Sequence, residues 1–206
     1  MKSIILLFAI FFTYLCNAQI VYIASPWLKA NIIATNTTTN LRAKDLNGNW
    51  LKIDQNDDGE VQLSEALNVS FYSDANQHVS DYQGINSFSN LEYLSFSYNP
   101  IPASLDLSGL SNLKFLYCYF NNLTSLNLTG CNSLETVSLN QNYLTTLDFS
   151  GITTLKHLNC QNNFLTTLNL NSTPNLITLL CFSNNLGNPL HHKSKQNHLD
   201  LNWLRR

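Results

Sequence analysis

Charge is scarce in this chain: only 12% of its 206 residues are Asp, Glu, Lys or Arg. Eleven basic residues against thirteen acids leave no basic footprint for nucleic acid. Glycine is also sparse, at seven residues, and no phosphate-cradling glycine loop, G-x-S-x-G or H-E-x-x-H motif occurs. The chain is therefore expected not to be an enzyme. Long apolar runs are confined to the extreme N-terminus, where Lys2 precedes an almost unbroken stretch from Ile4 to Leu15. That stretch is short for a membrane span, and Asn17, Ala18 and Gln19 supply a small-residue end, so residues 1–18 read as a secretory signal peptide. A retained membrane anchor is the other reading. After cleavage no membrane insertion is expected.

Removing Lys2 leaves ten basic residues against thirteen acids, a net charge of −3. The acidity is local, because six acids fall between Asp45 and Glu65. Four cysteines remain beyond Cys16, namely Cys118, Cys131, Cys160 and Cys181. An even number in an oxidising compartment suggests disulfides, but periodicity offers another role for them.

That periodicity dominates the rest of the chain. Leu91, Leu94, Phe96, Asn99 and Ile101 occupy positions 1, 4, 6, 9 and 11 of a unit. The same positions hold Leu113, Leu116, Cys118, Asn121 and Leu123, then Leu134, Val137, Leu139, Asn142 and Leu144. Leu155, Leu158, Cys160, Asn163 and Leu165 follow, and Leu176, Leu179, Cys181, Asn184 and Leu186 make a fifth unit. Successive starts lie 22, 21, 21 and 21 residues apart. Residues two apart share one face of a strand, so positions 4 and 6 point inward together. Parallel strands are expected near 93–96, 115–118, 136–139, 157–160 and 178–181. The asparagines, Asn99, Asn121, Asn142, Asn163 and Asn184, can donate to and accept from backbone groups where the strand bends away, forming a buried ladder.

On these residues the sequence resembles the leucine-rich-repeat family, and its short period resembles the internalin-like bacterial branch. The resemblance implies an α/β repeat solenoid: a short curved array with one parallel sheet and mostly non-helical returns. Leu126 and Leu128, Leu147 and Phe149, and Leu168 and Leu170 would face inward from those returns. Cys118, Cys160 and Cys181 then become small apolar core residues, although a Cys160–Cys181 disulfide between adjacent strands is conceivable.

An open solenoid needs capped ends. Residues 19–66 are assigned to an N-terminal cap module, in which Ser25 and Pro26 start a helix over Trp27 to Ile33. Residues 67–186 are the repeats, beginning with an irregular half-repeat marked by Val79, Tyr82, Ile85 and Phe88. Residues 187–206 hold His191, His192 and His198 and four basic residues, and form either a cap or a truncated or frame-shifted end.

Inside the cap, Asp54 to Glu65 matches the calcium-loop pattern D-x-[DN]-x-[DN]-G-x₅-E at every specified place. Side-chain oxygens of Asp54, Asn56 and Asp58, the carbonyl of Glu60 and the carboxylate of Glu65 would hold a structural Ca²⁺. The resemblance to EF-hand and dockerin-type loops covers only these dozen residues. No second loop matches, and a solvated acidic turn is the alternative. On the concave strand face, Tyr93, Tyr98, Phe115, Tyr117, Tyr119 and Phe120 form an aromatic patch in the first two repeats. The functional expectation is a secreted or cell-surface monomer that binds an extracellular protein or glycan there. A calcium-stabilised spacer, or a piece of a larger adhesin, is the runner-up.

Overall fold

A computed structural model describes residues 19–74, 79–99 and 102–187. The signal-peptide reading, Ile101 and the tail after residue 187 lie outside the described residues. Two short helices belong to the cap, α1 (Pro26–Ile33) and α2 (Leu63–Ala66). Among the described residues nine strands follow the order β1 (Ala43–Lys44), β2 (Phe71–Ser73), β3 (Tyr93–Ser95), β4 (Pro102–Asp106) and β5 (Phe115–Tyr117), then β6 (Asn122–Asn127), β7 (Thr136–Ser138), β8 (His157–Asn159) and β9 (Thr178–Leu180). The expected five-strand parallel ladder is present as β3-β5-β7-β8-β9. Each central pair matches position 4 to position 4, for example Leu94 with Leu116 and Val137 with Leu158.

The sheet is longer than the repeat pattern indicated. Strand β2 pairs parallel to β3, and β1 closes the same sheet antiparallel, giving seven strands. Val69, Tyr72 and Asp74 therefore occupy positions 1, 4 and 6 of a further unit. The segment containing Val79, Tyr82, Ile85 and Phe88, all buried, is the return half of that unit. A second sheet, also unforeseen, joins β4 and β6 on the return side. The described repeats hold no α-helix, only one 3-10 turn at Ile85–Ser87, in keeping with short returns rich in Ser, Thr and Asn.

The core is one column of apolar side chains. Leu94, Leu116, Val137 and Leu158 fill position 4, and Phe96, Cys118, Leu139 and Cys160 fill position 6, all at most 1% exposed. The four cysteines are free thiols, buried as packing residues, so Cys160 and Cys181 form no disulfide. Burial pushes the Cys118 thiol well above its usual range and that of Cys131 up to about 11. They stay protonated, and thus inert as nucleophiles or ligands, at neutral pH.

The cap is tied on at both of its sides. Ser25 caps α1 by accepting the Leu28 N–H at 3.2 Å, and Pro26 supplies the first helical residue. Residues 19–24 run as a strap, with Val21 N–H donating to Val61 O at 2.7 Å and Ala24 N–H to Gln83 O. Gly84, at φ 102°, is where the strap crosses: a Cβ there would lie 2.2 Å from the Tyr22 carbonyl oxygen. No helix among the described residues is long and apolar enough to cross a membrane.

Candidate functional site: the outer sheet face and the acidic loop

The asparagines do what their position demands. Asn142 Oδ1 accepts from Leu123 N–H, while its Nδ2 donates to Cys118 O at 2.8 Å and Leu139 O at 3.0 Å. Asn163 repeats this wiring with Leu144, Leu139 and Cys160. Asn184 does so with Leu165, Cys160 and Cys181. Each amide therefore links its own bend to the backbone of the preceding repeat. Asn121 departs from the rule: its Oδ1 accepts Asn99 N–H at 2.9 Å, in keeping with the 22-residue first interval. Asn99, Asn121, Asn142 and Asn163 are buried, and Asn184, in the last described unit, is half-buried.

Position 8, just before each asparagine, has left-handed backbone throughout. Tyr98, Phe120, Gln141, Asn162 and Ser183 have φ between 53° and 61°. Such backbone is uncommon for bulky residues. At the other end of the strands, position 2 carries Glu92, Lys114, Glu135 and Lys156 in alternation. Lys114 pairs with Glu92 at 2.9 Å and Lys156 with Glu135 at 2.7 Å. Exposed pairs like these stabilise little, but a one-residue slip of a strand would break them.

The six expected aromatics fall into two groups of ring contacts. Tyr93 lies 6.4 Å from Phe115 and 5.4 Å from Tyr117. Tyr98 stacks on Phe120 at 4.9 Å and meets Tyr119 edge-on at 5.4 Å. The first group continues beyond the residues read from sequence. Phe71 stacks on Tyr93 at 4.3 Å, and Trp50 meets Phe71 edge-on at 6.1 Å. Lys44 Nζ sits 4.6 Å from the centroid of Trp50. The hairpin around Asp45–Asn49 presents Trp50 to this face, because Lys44 and Trp50 form an antiparallel bridge. The cap thus extends the aromatic stripe and does not cover it. The signal for Phe71 lay at position 3 of the unit starting at Val69, 22 residues before Tyr93. Past β5 the same face turns polar with Thr136, Ser138, His157 and Asn159.

In the acidic loop, both oxygens of Asp54 accept backbone N–H groups, from Asp58 at 3.3 Å and Gly59 at 3.2 Å. Glu65 accepts from Gln55 N–H and Gln62 N–H, spanning the loop from end to end. Asp57 and Gly59 take the left-handed conformations that a tight loop needs. Glu60 turns its carboxylate to Lys29 at 2.6 Å, and Asp57 pairs with Lys52. Asp54, Asp58 and Glu65 have no such cation among the described residues, although Asp54 and Glu65 are only 2% and 6% exposed. The five candidate ligands share one loop, but among the described residues no group of three or more His, Cys, Asp or Glu side chains converges as a ligand set. The donors are all oxygen, and Glu60 is required only for its carbonyl, so its pairing with Lys29 does not conflict with the pattern.

No protein-family model matches the chain, and no match is found among curated proteins. Among solved structures, the functional domain of InlJ from Listeria monocytogenes, which includes a cysteine ladder, is similar at 30% identity with a TM-score of 0.58. The match covers 63% of this chain and 29% of that one, so the chain spans less than a third of the length of its structural neighbour. Fold and likeness together support an internalin-like leucine-rich-repeat solenoid.

Proposed function

Proceeding from a leucine-rich-repeat solenoid, we propose that the chain is a secreted or cell-surface binding protein. It captures an extracellular protein on the stripe formed by Trp50, Phe71, Tyr93, Phe115 and Tyr117. The observation that carries this reading is the stripe's continuity from the cap hairpin through three adjacent strands. At about 4.8 Å per strand it is broad enough to seat the buried centre of a protein interface. Aromatic side chains dominate such centres, and Lys44 at the stripe's end adds a cation that discriminates between partners. Burial and then Tyr117 raise the Tyr93 hydroxyl above its ordinary range, so it stays a neutral donor at physiological pH. The buried thiols Cys118, Cys160 and Cys181, interrupted by Leu139, are read as a packing counterpart of InlJ's cysteine ladder.

A double Tyr93→Ser, Tyr117→Ser variant tests the stripe. Both rings point away from the leucine column, so the melting temperature should fall by no more than a few degrees (about 1 kcal/mol or less). Capture of a protein partner from extracellular extract should be lost. Unfolding of the double variant would return these rings to the structure.

The loop of residues 54–65 is proposed to hold a structural Ca²⁺ through Asp54, Asn56, Asp58, Glu60 and Glu65. What supports this is the charge balance: the two lysines beside the loop neutralise Asp57 and the Glu60 carboxylate, while Asp54, Asp58 and Glu65 keep only N–H donors. At a hundredfold excess of calcium over its dissociation constant, binding would add about 2.7 kcal/mol. Thermal melts in calcium and in chelator should differ accordingly. Asp54→Asn, which keeps an acceptor for the Gly59 N–H, should remove most of the difference. Superimposable melts would leave the loop a hydrogen-bonded turn.

A further inference from the structure

We infer that a second binding site, separate from the stripe, lies on the rim where the strands bend, and that its ligand is a neutral saccharide. A cavity of about 250 Å³ opens there, floored by Asn121 and Asn142 and walled by Phe120, Gln141, Asn122 and Tyr143. Phe120 and Gln141 are position 8 of neighbouring repeats, and Asn122 and Tyr143 are position 10. The four walls therefore form a two-by-two square, with aromatic rings on one diagonal and amides on the other.

The square arises because the aromatic row changes place along the solenoid. In the first two repeats position 8 carries Tyr98 and Phe120, stacked at 4.9 Å with planes 8° apart. In the third and fourth, position 10 carries Tyr143 and Phe164, stacked at 5.8 Å with planes 21° apart. All four rings are 45–50% exposed. Tyr98 and Phe120 hold them out from left-handed backbone that the later repeats give to Gln141, Asn162 and Ser183. An aromatic side chain there is strained and serves no core, and strain of this kind gathers at ligand sites.

The lining selects the ligand. No charged residue walls the cavity, which disfavours an anion or a cation. Two amide corners disfavour a purely apolar ligand. The floor asparagines are committed to the backbone, but Asn122 and Gln141 make no side-chain hydrogen bond among the described residues, and each offers both a donor and an acceptor. Sugar hydroxyls need that pairing, and the C–H face of a pyranose fits an aromatic ring, whose face is negative. The cavity lies just below the usual range for ligand pockets, which suits one sugar unit. The two stacked pairs would carry its neighbours along the rim.

The test is a titration of the whole chain with maltotriose, cellotriose, triacetylchitotriose and trigalacturonate to about 10 mM, suited to weak binding, read by amide nitrogen–proton NMR. A neutral trisaccharide should shift the side-chain amides of Asn122 and Gln141 and the backbone of Tyr143. Tyr143→Ala should weaken it by about tenfold, the loss of one ring contact. Gln141→Asn, which tolerates the left-handed backbone while withdrawing the amide, should weaken it several-fold and covers the case in which the first variant misfolds. The inference is overturned if no neutral trisaccharide binds, if the acidic one binds more tightly, or if both variants bind as the parent does. Shifts centred on Phe71, Tyr93 and Tyr117 would equally overturn it.

Discussion

Arg42→Ala is expected to destabilise the fold by about 4 kcal/mol, because it would strand a fully buried carboxylate. Asp74 is 0% exposed and occupies position 6 of the first strand unit, where later units carry Phe96, Cys118 and Leu139. It closes the apolar column by accepting from Arg42 Nη1, from Asn31 Nδ2 at 2.8 Å and from the Tyr72 hydroxyl at 3.3 Å. Those donors come from the residue just before β1, from α1 and from β2, so one carboxylate ties the cap to the start of the sheet. Removing the guanidinium leaves two neutral donors to offset a charge shielded from solvent. A double Arg42→Met, Asp74→Leu variant removes both charges and extends the apolar column, and should lose markedly less than the single variant. Urea denaturation of the two proteins measures this. A single-variant loss below about 1 kcal/mol would show that Asp74 is screened as a surface carboxylate is.

Asn142→Ala should cost about 3 kcal/mol, since it orphans two backbone groups inside the solenoid and leaves a third, Leu139 O, with Asn163 Nδ2 alone. Leu123 N–H, Cys118 O and Leu139 O all lose the amide, and Asn142 itself is 4% exposed. Asn142→Asp is a stringent companion, because a carboxylate can still accept from Leu123 but cannot donate to either carbonyl. It should cost at least as much as alanine. Asn184→Ala should cost less, since Asn184 is only half-buried and wires the last described unit. Equal losses at Asn142 and Asn184 would contradict the view that burial sets the penalty.

The repeats were legible in the sequence because their core positions recur at a fixed spacing, and that same spacing placed the asparagines. What escaped was the unit that breaks the apolar rule. Asp74 at an inward position looks like a strand's end unless Arg42, 32 residues earlier, is known to meet it. Missing β2 hid Phe71, and Trp50 was hidden because a short antiparallel bridge leaves no periodic mark. The left-handed conformation at position 8 was hidden as well: Tyr98 and Phe120 are residues that backbone preference argues against there. The split of the six aromatics into two groups follows from that bend, which carries positions 7 and 8 away from positions 3 and 5. The calcium pattern was plain in the sequence. Which carboxylates the neighbouring lysines neutralise was not, because Lys29 reaches Glu60 from α1.

Partner capture on the outer sheet face is measured by photocrosslinking from the stripe. Benzoylphenylalanine would replace Tyr117 in one protein and Ser125 in another, Ser125 being an exposed position on return strand β6. Both proteins would be irradiated in the same extracellular extract. A discrete protein adduct should form from position 117, suppressed by excess unlabelled parent chain, and none from position 125. Equal labelling at both positions, or an adduct from position 125 alone, would contradict capture on that face.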